Sequence, residues 1–198
     1  MAIASPVREP LRAATRWRFS VDDYVQLHAI GLIPEDVRTE LIEGEIYAMP
    51  PIGPGHAAIQ SSLQTFLTLR LGALGFVRGQ NPLHLDDRTL VQPDVHVVRP
   101  DPDGYLSRHP MAPDTLLVVE VADSSLRHDR QRKLPLYARF GILEAWVVVL
   151  ADHALEVYRE PVDGRYAVAQ VLHAGDVVAP TAAPDVAVDV GTLLKARL

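Results

Sequence analysis

The chain contains no cysteine. That excludes a disulfide framework, thiolate metal sites and a cysteine nucleophile together. Long apolar runs are missing as well. The longest, Ala145 to Ala151, has seven residues, far short of the ~20 that a membrane-spanning helix needs. No apolar stretch separates Arg8, Arg12, Arg16 and Arg18, so the first 20 residues do not read as a secretory signal. The expected compartment is the cytoplasm, with no membrane partner. Positive charge is in deficit, 19 basic against 25 acidic residues for a net −6. That argues against a nonspecific nucleic-acid coat, though not against a locally positive cleft. Lysine is nearly absent: 17 of the 19 basic residues are arginine, leaving Lys133 and Lys195. Lys133 stands among Arg127, Arg130, Arg132 and Arg139 and is still lysine, a compact ammonium where its neighbours carry planar guanidinium groups.

What is present fits one globular domain. The chain has 198 residues, 48% of them hydrophobic and 22% charged, enough to bury roughly 70% of its unfolded surface. Residues 1–16, with two prolines and no periodicity, predict a flexible arm, and 17–198 a single domain. Ser20 and Asp23 predict a helix start that Gly31 ends. Glu40 to Tyr47 reads as a hairpin turning at Glu43-Gly44, with Glu40 opposite Tyr47 and Ile42 opposite Glu45. Ile59, Leu63, Phe66 and Leu67 recur at helical spacing, closed by Gly72 and Gly75. Strands follow at 76–79, 83–86 and 90–98, the last placing Gln92, Asp94 and His96 on one face. The proline-rich stretch 99–114 reads as a surface loop. Thr115–Ala122 is nearly all apolar, as a central strand covered on both faces is. A helix with an N-cap among Asp123, Ser124 and Ser125 carries Leu126 to Tyr137, and Pro135 must kink or restart it. Ala145–Leu150 is a further buried strand, Asp163-Gly164 turns an edge hairpin, and a short strand and helix end the chain. The fold class is α/β (or α+β), a mixed central sheet flanked by helices.

Two carboxylates stand out. Asp94 and Glu120 come from successive long strands, and a carboxylate in so apolar a strand is costly unless it meets a cation or hydrogen-bond donors. Two such groups could share one ion. With oxygen ligands alone available, Mg²⁺ (Mn²⁺ as its substitute) suits them better than zinc. Lys133, 13 residues after Glu120, could reach back over the strand end and stabilise charge building on a phosphoryl oxygen. A buried acid–lysine pair with no chemistry satisfies the same spacing.

These residues also carry a resemblance. Pro93-Asp94 followed by Glu120-Val-Ala122 resembles the PD-(D/E)XK nuclease signature, with Ala122 where that signature has its lysine. Lys133 fits a lysine migrated to the following helix. A wider set is similar to the small bacterial family of putative restriction endonucleases, from about residue 38 to 190. It comprises Glu40-Leu-Ile-Glu-Gly-Glu45, His56 opening a helix, Gln92-Pro-Asp94 and Val118-Val-Glu-Val-Ala-Asp-Ser-Ser125. Asp129 with Lys133, Leu136-Tyr-Ala138 and Gly141-Ile-Leu-Glu-Ala-Trp146 complete it. The resemblance implies a restriction-endonuclease-like fold, a divalent metal and phosphodiester hydrolysis, with no target specified. It makes Asp94 and Glu120 metal ligands, Lys133 the catalytic lysine and Glu40 a nearby acid.

Other readings stay open for several of these residues. Glu40 could instead be a solvated hairpin charge. His56 could bind phosphate, relay a proton or simply cap its helix. Asp129, one turn before Lys133, is expected to orient it, His96 to stand behind Asp94, and Tyr137 and Trp146 to be core. The leading expectation is a Mg²⁺-dependent endonuclease acting on DNA, as a twofold homodimer if it cuts both strands. The alternatives are an inactive binding or regulatory module on the same fold, and a metal-dependent hydrolase of a small phosphorylated molecule.

Overall fold

The structure, a computed structural model, describes residues 16–196. The arm expected over 1–16 lies outside the described residues except for Arg16, which pairs with Glu45 at 2.7 Å. Helix α1 (Val21–Ala29) opens on a complete capping box, Ser20 and Asp23 each accepting the other's backbone N–H. Strands β1 (Thr39–Ile42) and β2 (Glu45–Ala48) pair in the expected register, Glu40 opposite Tyr47 and Ile42 opposite Glu45. Glu43 and Gly44 both take positive φ, 52° and 78°, as a tight two-residue hairpin turn requires. Helix α2 (Pro54–Leu71) follows, then β3 (Phe76–Gly79), β4 (Leu83–Asp86), β5 (Thr89–Val91), β6 (Val95–Val98) and β7 (Thr115–Ala122).

After β7 the chain runs through one turn of helix, α3 (Leu126–His128), a wider π-type turn over Asp129–Lys133, and α4 (Leu134–Arg139). Pro135 sits in the first turn of α4, the one place where a helix tolerates a missing N–H. The restart anticipated from this proline is therefore present. Strand β8 (Glu144–Val149) and the hairpin β9 (Ala154–Val162) and β10 (Arg165–Leu172) lead to β11 (Val177–Val178), β12 (Val188–Asp189) and α5 (Val190–Leu193).

The main sheet has six strands in the order β10-β9-β8-β7-β6-β3, in which only β7 and β8 run parallel. A four-stranded antiparallel sheet, β2-β1-β5-β4, packs beside it. One face of the main sheet carries α2, through Ile59, Leu63 and Leu67 against Val95, Val119 and Val121. The other carries α4 and the smaller sheet, through Val118, Ala122 and Val147 against Leu83, Val91, Leu134 and Tyr137. That double cover explains the near-continuous apolar run of β7. The expected mixed central sheet flanked by helices is the architecture observed.

The single strand expected over 90–98 is instead two. The break falls at Gln92–Asp94: β5 belongs to the small sheet and β6 to the large one. Pro93 has no N–H for a ladder, and the alternation slips, since Val91 packs with the α4 side and Val95 with the α2 side.

The close approach at Gly44 yields a stability prediction. A Cβ there would lie 2.7 Å from Arg18 Cβ and 3.0 Å from the Phe19 carbonyl oxygen, at a φ of +78°. Gly31, at +72°, has open space around it. Gly44→Ala is expected to cost about 1–3 kcal/mol, and Gly31→Ala less, because it bears the backbone strain without the collision. Chemical denaturation of both variants measures the difference; equal losses would count against the collision.

Candidate active site

The break after β5 decides where Asp94 goes. Its side chain leaves the sheet plane and meets three different elements. Oδ1 accepts from His56 Nε2 of α2 at 2.8 Å and from Gln80 Nε2 at 3.4 Å, and Oδ2 accepts from the Val121 amide of β7 at 2.8 Å. Glu120 lies one residue before that amide, on the opposite face of β7. Its Oε1 accepts from Tyr137 Oη at 2.5 Å and Lys133 Nζ at 3.1 Å. Lys133 Nζ also lies 3.0 Å from Glu40 Oε1, which takes the Gln92 amide at 2.8 Å as well. The hairpin β1-β2, the break between β5 and β6, the central strand β7 and the π-type turn thus converge. Asp94, Glu120, Lys133, His56 and Asp129 line one cavity of about 40 Å³, room for a water-sized occupant.

Four carboxylates (Glu40, Asp94, Glu120 and Asp129) and Lys133 are all buried here. Burial pushes the Glu120 carboxyl up, and the charges of Asp129, Asp94 and Glu40 push it further. Lys133 opposes them only in part, and the group titrates near about 8. Burial alone would lower the Lys133 ammonium, but Glu120, Glu40, Asp129 and Asp94 outweigh it and hold the lysine charged well beyond its ordinary range. Burial also raises Asp129, with Lys133 and the Ser125 hydroxyl compensating in part. Asp94 goes the other way: burial would raise it, but the bond and charge of His56, with Lys133 and the Val121 amide, leave it below the usual range. Four buried carboxylates gather around the one buried ammonium, that of Lys133.

Three observations bear on a divalent cation. The carboxylates outnumber the buried ammonium, burial pushes the Glu120 carboxyl well above its ordinary range, and Glu40 Oε2 is buried with no hydrogen-bond partner. The donors around the cavity are hard oxygens. Among the described residues no three acidic or histidine side chains are arranged to enclose an ion by themselves. Mg²⁺ does not need them, because it binds through one or two carboxylates and keeps several waters. The hard-oxygen lining of the cavity is compatible with such an ion.

Glu40 is buried against Lys133 rather than solvated. His56 is tied to Asp94. Asp129 is within electrostatic reach of Lys133, but its Oδ2 accepts from Ser125 Oγ at 2.7 Å, and the lysine is oriented by Glu40 and Glu120 instead. The i→i+5 geometry of the π-type turn removes the i,i+4 contact that a regular helix would give. Ser125 accordingly forms no side-chain cap. His96 does not line the cavity. It is fully buried with both ring nitrogens unpartnered, and burial followed by Arg78 pushes it down to about 3. Trp146 is core, its Nε1 donating to Glu144. Tyr137 is core by burial and yet bonds Glu120; its Oη was invisible in an apolar helical stripe. Arg38, also unforeseen, lines the cavity with no acidic partner among the described residues.

A family model described as Uma2, putative restriction endonuclease, matches residues 21–191. No curated protein matches the chain. The fold is similar to the crystal structure of a putative nuclease belonging to DUF820 from Anabaena variabilis. That match has a TM-score of 0.72 at 17% identity and covers 91% of this chain and 99% of the other.

The raised Glu120 carboxyl makes stability depend on pH with a definite sign. It titrates near about 8 in the fold against 4.5 for the ordinary group, so between those values the native state binds the extra proton and stability falls as pH rises. Glu120→Gln cannot ionise. In metal-free buffer the thermal midpoint of the parent, minus that of Glu120→Gln, is expected to fall by several degrees between about pH 5 and 8. A flat difference would mean that Glu120 is already ionised in the native protein.

Proposed function

This chain belongs to the Uma2 family, described as putative restriction endonucleases, and we propose that it is a divalent-metal-dependent nuclease hydrolysing phosphodiester bonds of DNA. The observation that carries this reading is the meeting of Asp94, Glu120 and Lys133 around one cavity, from the break between β5 and β6, the end of β7 and the π-type turn that follows it. The nuclease name of the structurally similar Anabaena protein supports the same reaction class.

A Mg²⁺ ion held by Asp94 and Glu120 would lower the pKa of a water and offset charge growing on the phosphoryl oxygens. The chain's own residues do the rest. His56 Nε2 and the Val121 amide fix the Asp94 carboxylate from both sides. Tyr137 Oη and Lys133 Nζ share one oxygen of Glu120. An ammonium has three N–H donors; Glu40 and Glu120 take two at Lys133, leaving one for a phosphoryl oxygen or the attacking water. Because its acidic neighbours keep Lys133 protonated, it serves as a fixed positive charge, not as a base. Arg38, the cavity's cation without an acidic partner, is placed to receive an anionic substrate at an otherwise acidic site.

Two sets of variants test the reading. Asp94→Ala and Glu120→Ala should each abolish Mg²⁺ or Mn²⁺ binding in calorimetry and cleavage of plasmid DNA. Metal binding equal to the parent's in both would refute the site. Lys133→Arg should keep metal affinity but lose on the order of 100-fold in turnover, since about 1 Å of misplacement suffices for that. Its thermal midpoint, measured in parallel, separates a misplaced charge from lost folding. Full activity with Arg at 133 would leave the lysine a structural role only. A parent that binds metal yet cleaves no nucleic acid would point to a retained fold without the activity.

A further inference from the structure

Strand β10 is the outer edge of the six-stranded sheet. Its inner side pairs with β9 in constant register from Val162–Arg165 to Leu155–Leu172. Among the described residues no other strand pairs with it. The opposite edge, β3, has four residues, whereas β10 has eight. Natural edges of that length are normally blunted by lysine, proline, bulges or inward charges, because bare N–H and C=O groups invite another strand. β10 has none of these devices. From Tyr166 to Leu172 it reads Tyr-Ala-Val-Ala-Gln-Val-Leu, without charge or proline, and its only charged residue is Arg165 at the turn. Ala167, Ala169, Gln170 and Val171 are exposed, and Val171 and Val162 stay 59% and 57% accessible.

We infer that β10 is a self-association edge whose occupant is β10 of a second copy, joined antiparallel about a twofold axis at Ala169. The sequence is complementary to itself in that register. Tyr166 falls opposite Leu172 of the second copy, Ala167 opposite its Val171, and Val168 opposite its Gln170, with the two Ala169 residues facing each other on the axis. Tyr166–Leu172 and Ala167–Val171 are apolar pairs, Val168 meets the uncharged Gln170, and no like charges oppose one another. An uncharged strand suits self-association in a chain of net charge −6, whose copies repel one another at long range. The interface is isologous, so it closes as a dimer and does not propagate. The axis of an antiparallel strand pair stands perpendicular to the sheet. Both copies then turn the Glu120–Lys133 face to the same side of one continuous sheet. The inference does not rest on the nuclease reading.

Light scattering and sedimentation of the full chain at micromolar concentration should report a dimer. Ala169→Lys, at an exposed position, should give a monomer with an unchanged circular-dichroism spectrum. Because the chain has no cysteine, Ala169→Cys supplies a lone thiol on the axis, where directly opposed Cβ atoms lie about 4.5–5.5 Å apart. Mild oxidation should convert it to a reductant-sensitive covalent dimer, while Ser61→Cys, exposed on α2, should not cross-link comparably. A monomeric parent, a dimer untouched by Ala169→Lys, or equal cross-linking at both cysteines would overturn the proposal. So would a parent that dimerises only after residues 1–15 are removed, which would make the N-terminal arm the strand's occupant.

Discussion

Lys133 holds three remote parts of the chain in one place by charge. Its ammonium is wholly enclosed, bonded to Glu40 from the hairpin and Glu120 from the central strand. Removing such a charge from a buried cluster costs about 3–5 kcal/mol, because the partner left behind has neither water nor counter-ion. The dependence runs both ways. Without the lysine, Glu40 would keep only the Gln92 amide and Glu120 only the Tyr137 hydroxyl, and the smaller sheet would lose the ion pair that ties it to β7. Even with the lysine, four buried carboxylates gather around one buried ammonium. The crowding appears in the elevated Glu120 carboxyl and in the orphaned oxygen of Glu40.

Two backbone irregularities make this convergence possible, and both lie at the cavity. Pro93 stops one strand and starts another, which frees Asp94 from the strict alternation of a ladder and lets its carboxylate reach the Val121 amide. The π-type turn at Asp129–Lys133 widens the helix just before Pro135, whose ring excludes the usual bond. Without the widening, a regular helix would set Lys133 beside Asp129. Local departures from regular structure here serve a geometry that regular elements could not supply.

Much of this was legible in the sequence because it depends on local chemistry. The capping box at Ser20 and Asp23, the Glu43-Gly44 turn with its register, the doubly covered β7 and the restart at Pro135 each follow from a few adjacent residues. So does the isolation of Asp94 and Glu120 among apolar neighbours. What was not legible depends on contacts distant in the chain. The break at 92–94 is a matter of which sheet each half joins, and alternation alone reads through it. Tyr137 has the spacing of a core aromatic and is one; only the tertiary structure shows its hydroxyl on Glu120. The same holds for Asp129, whose expected contact with Lys133 presumed a regular α-helix.

The choice of lysine at 133, in a chain whose other basic residues apart from Lys195 are arginine, follows from the geometry of the donors. Surface arginines here meet carboxylates in ordinary solvent-facing pairs, as Arg16 and Arg18 do at Glu45 and Arg139 at Glu43. A guanidinium presents its donors in one plane, suited to gripping a single carboxylate side by side. The buried position asks for something else: two acids arriving from different sheets, and a third direction open to the cavity. A tetrahedral ammonium gives three divergent donors from one atom. It can satisfy Glu40 and Glu120 at about 3 Å each and still offer a proton outward. A planar head in the same volume would have to choose one acid, strand the other in a dry environment, and displace the side chains that close the site.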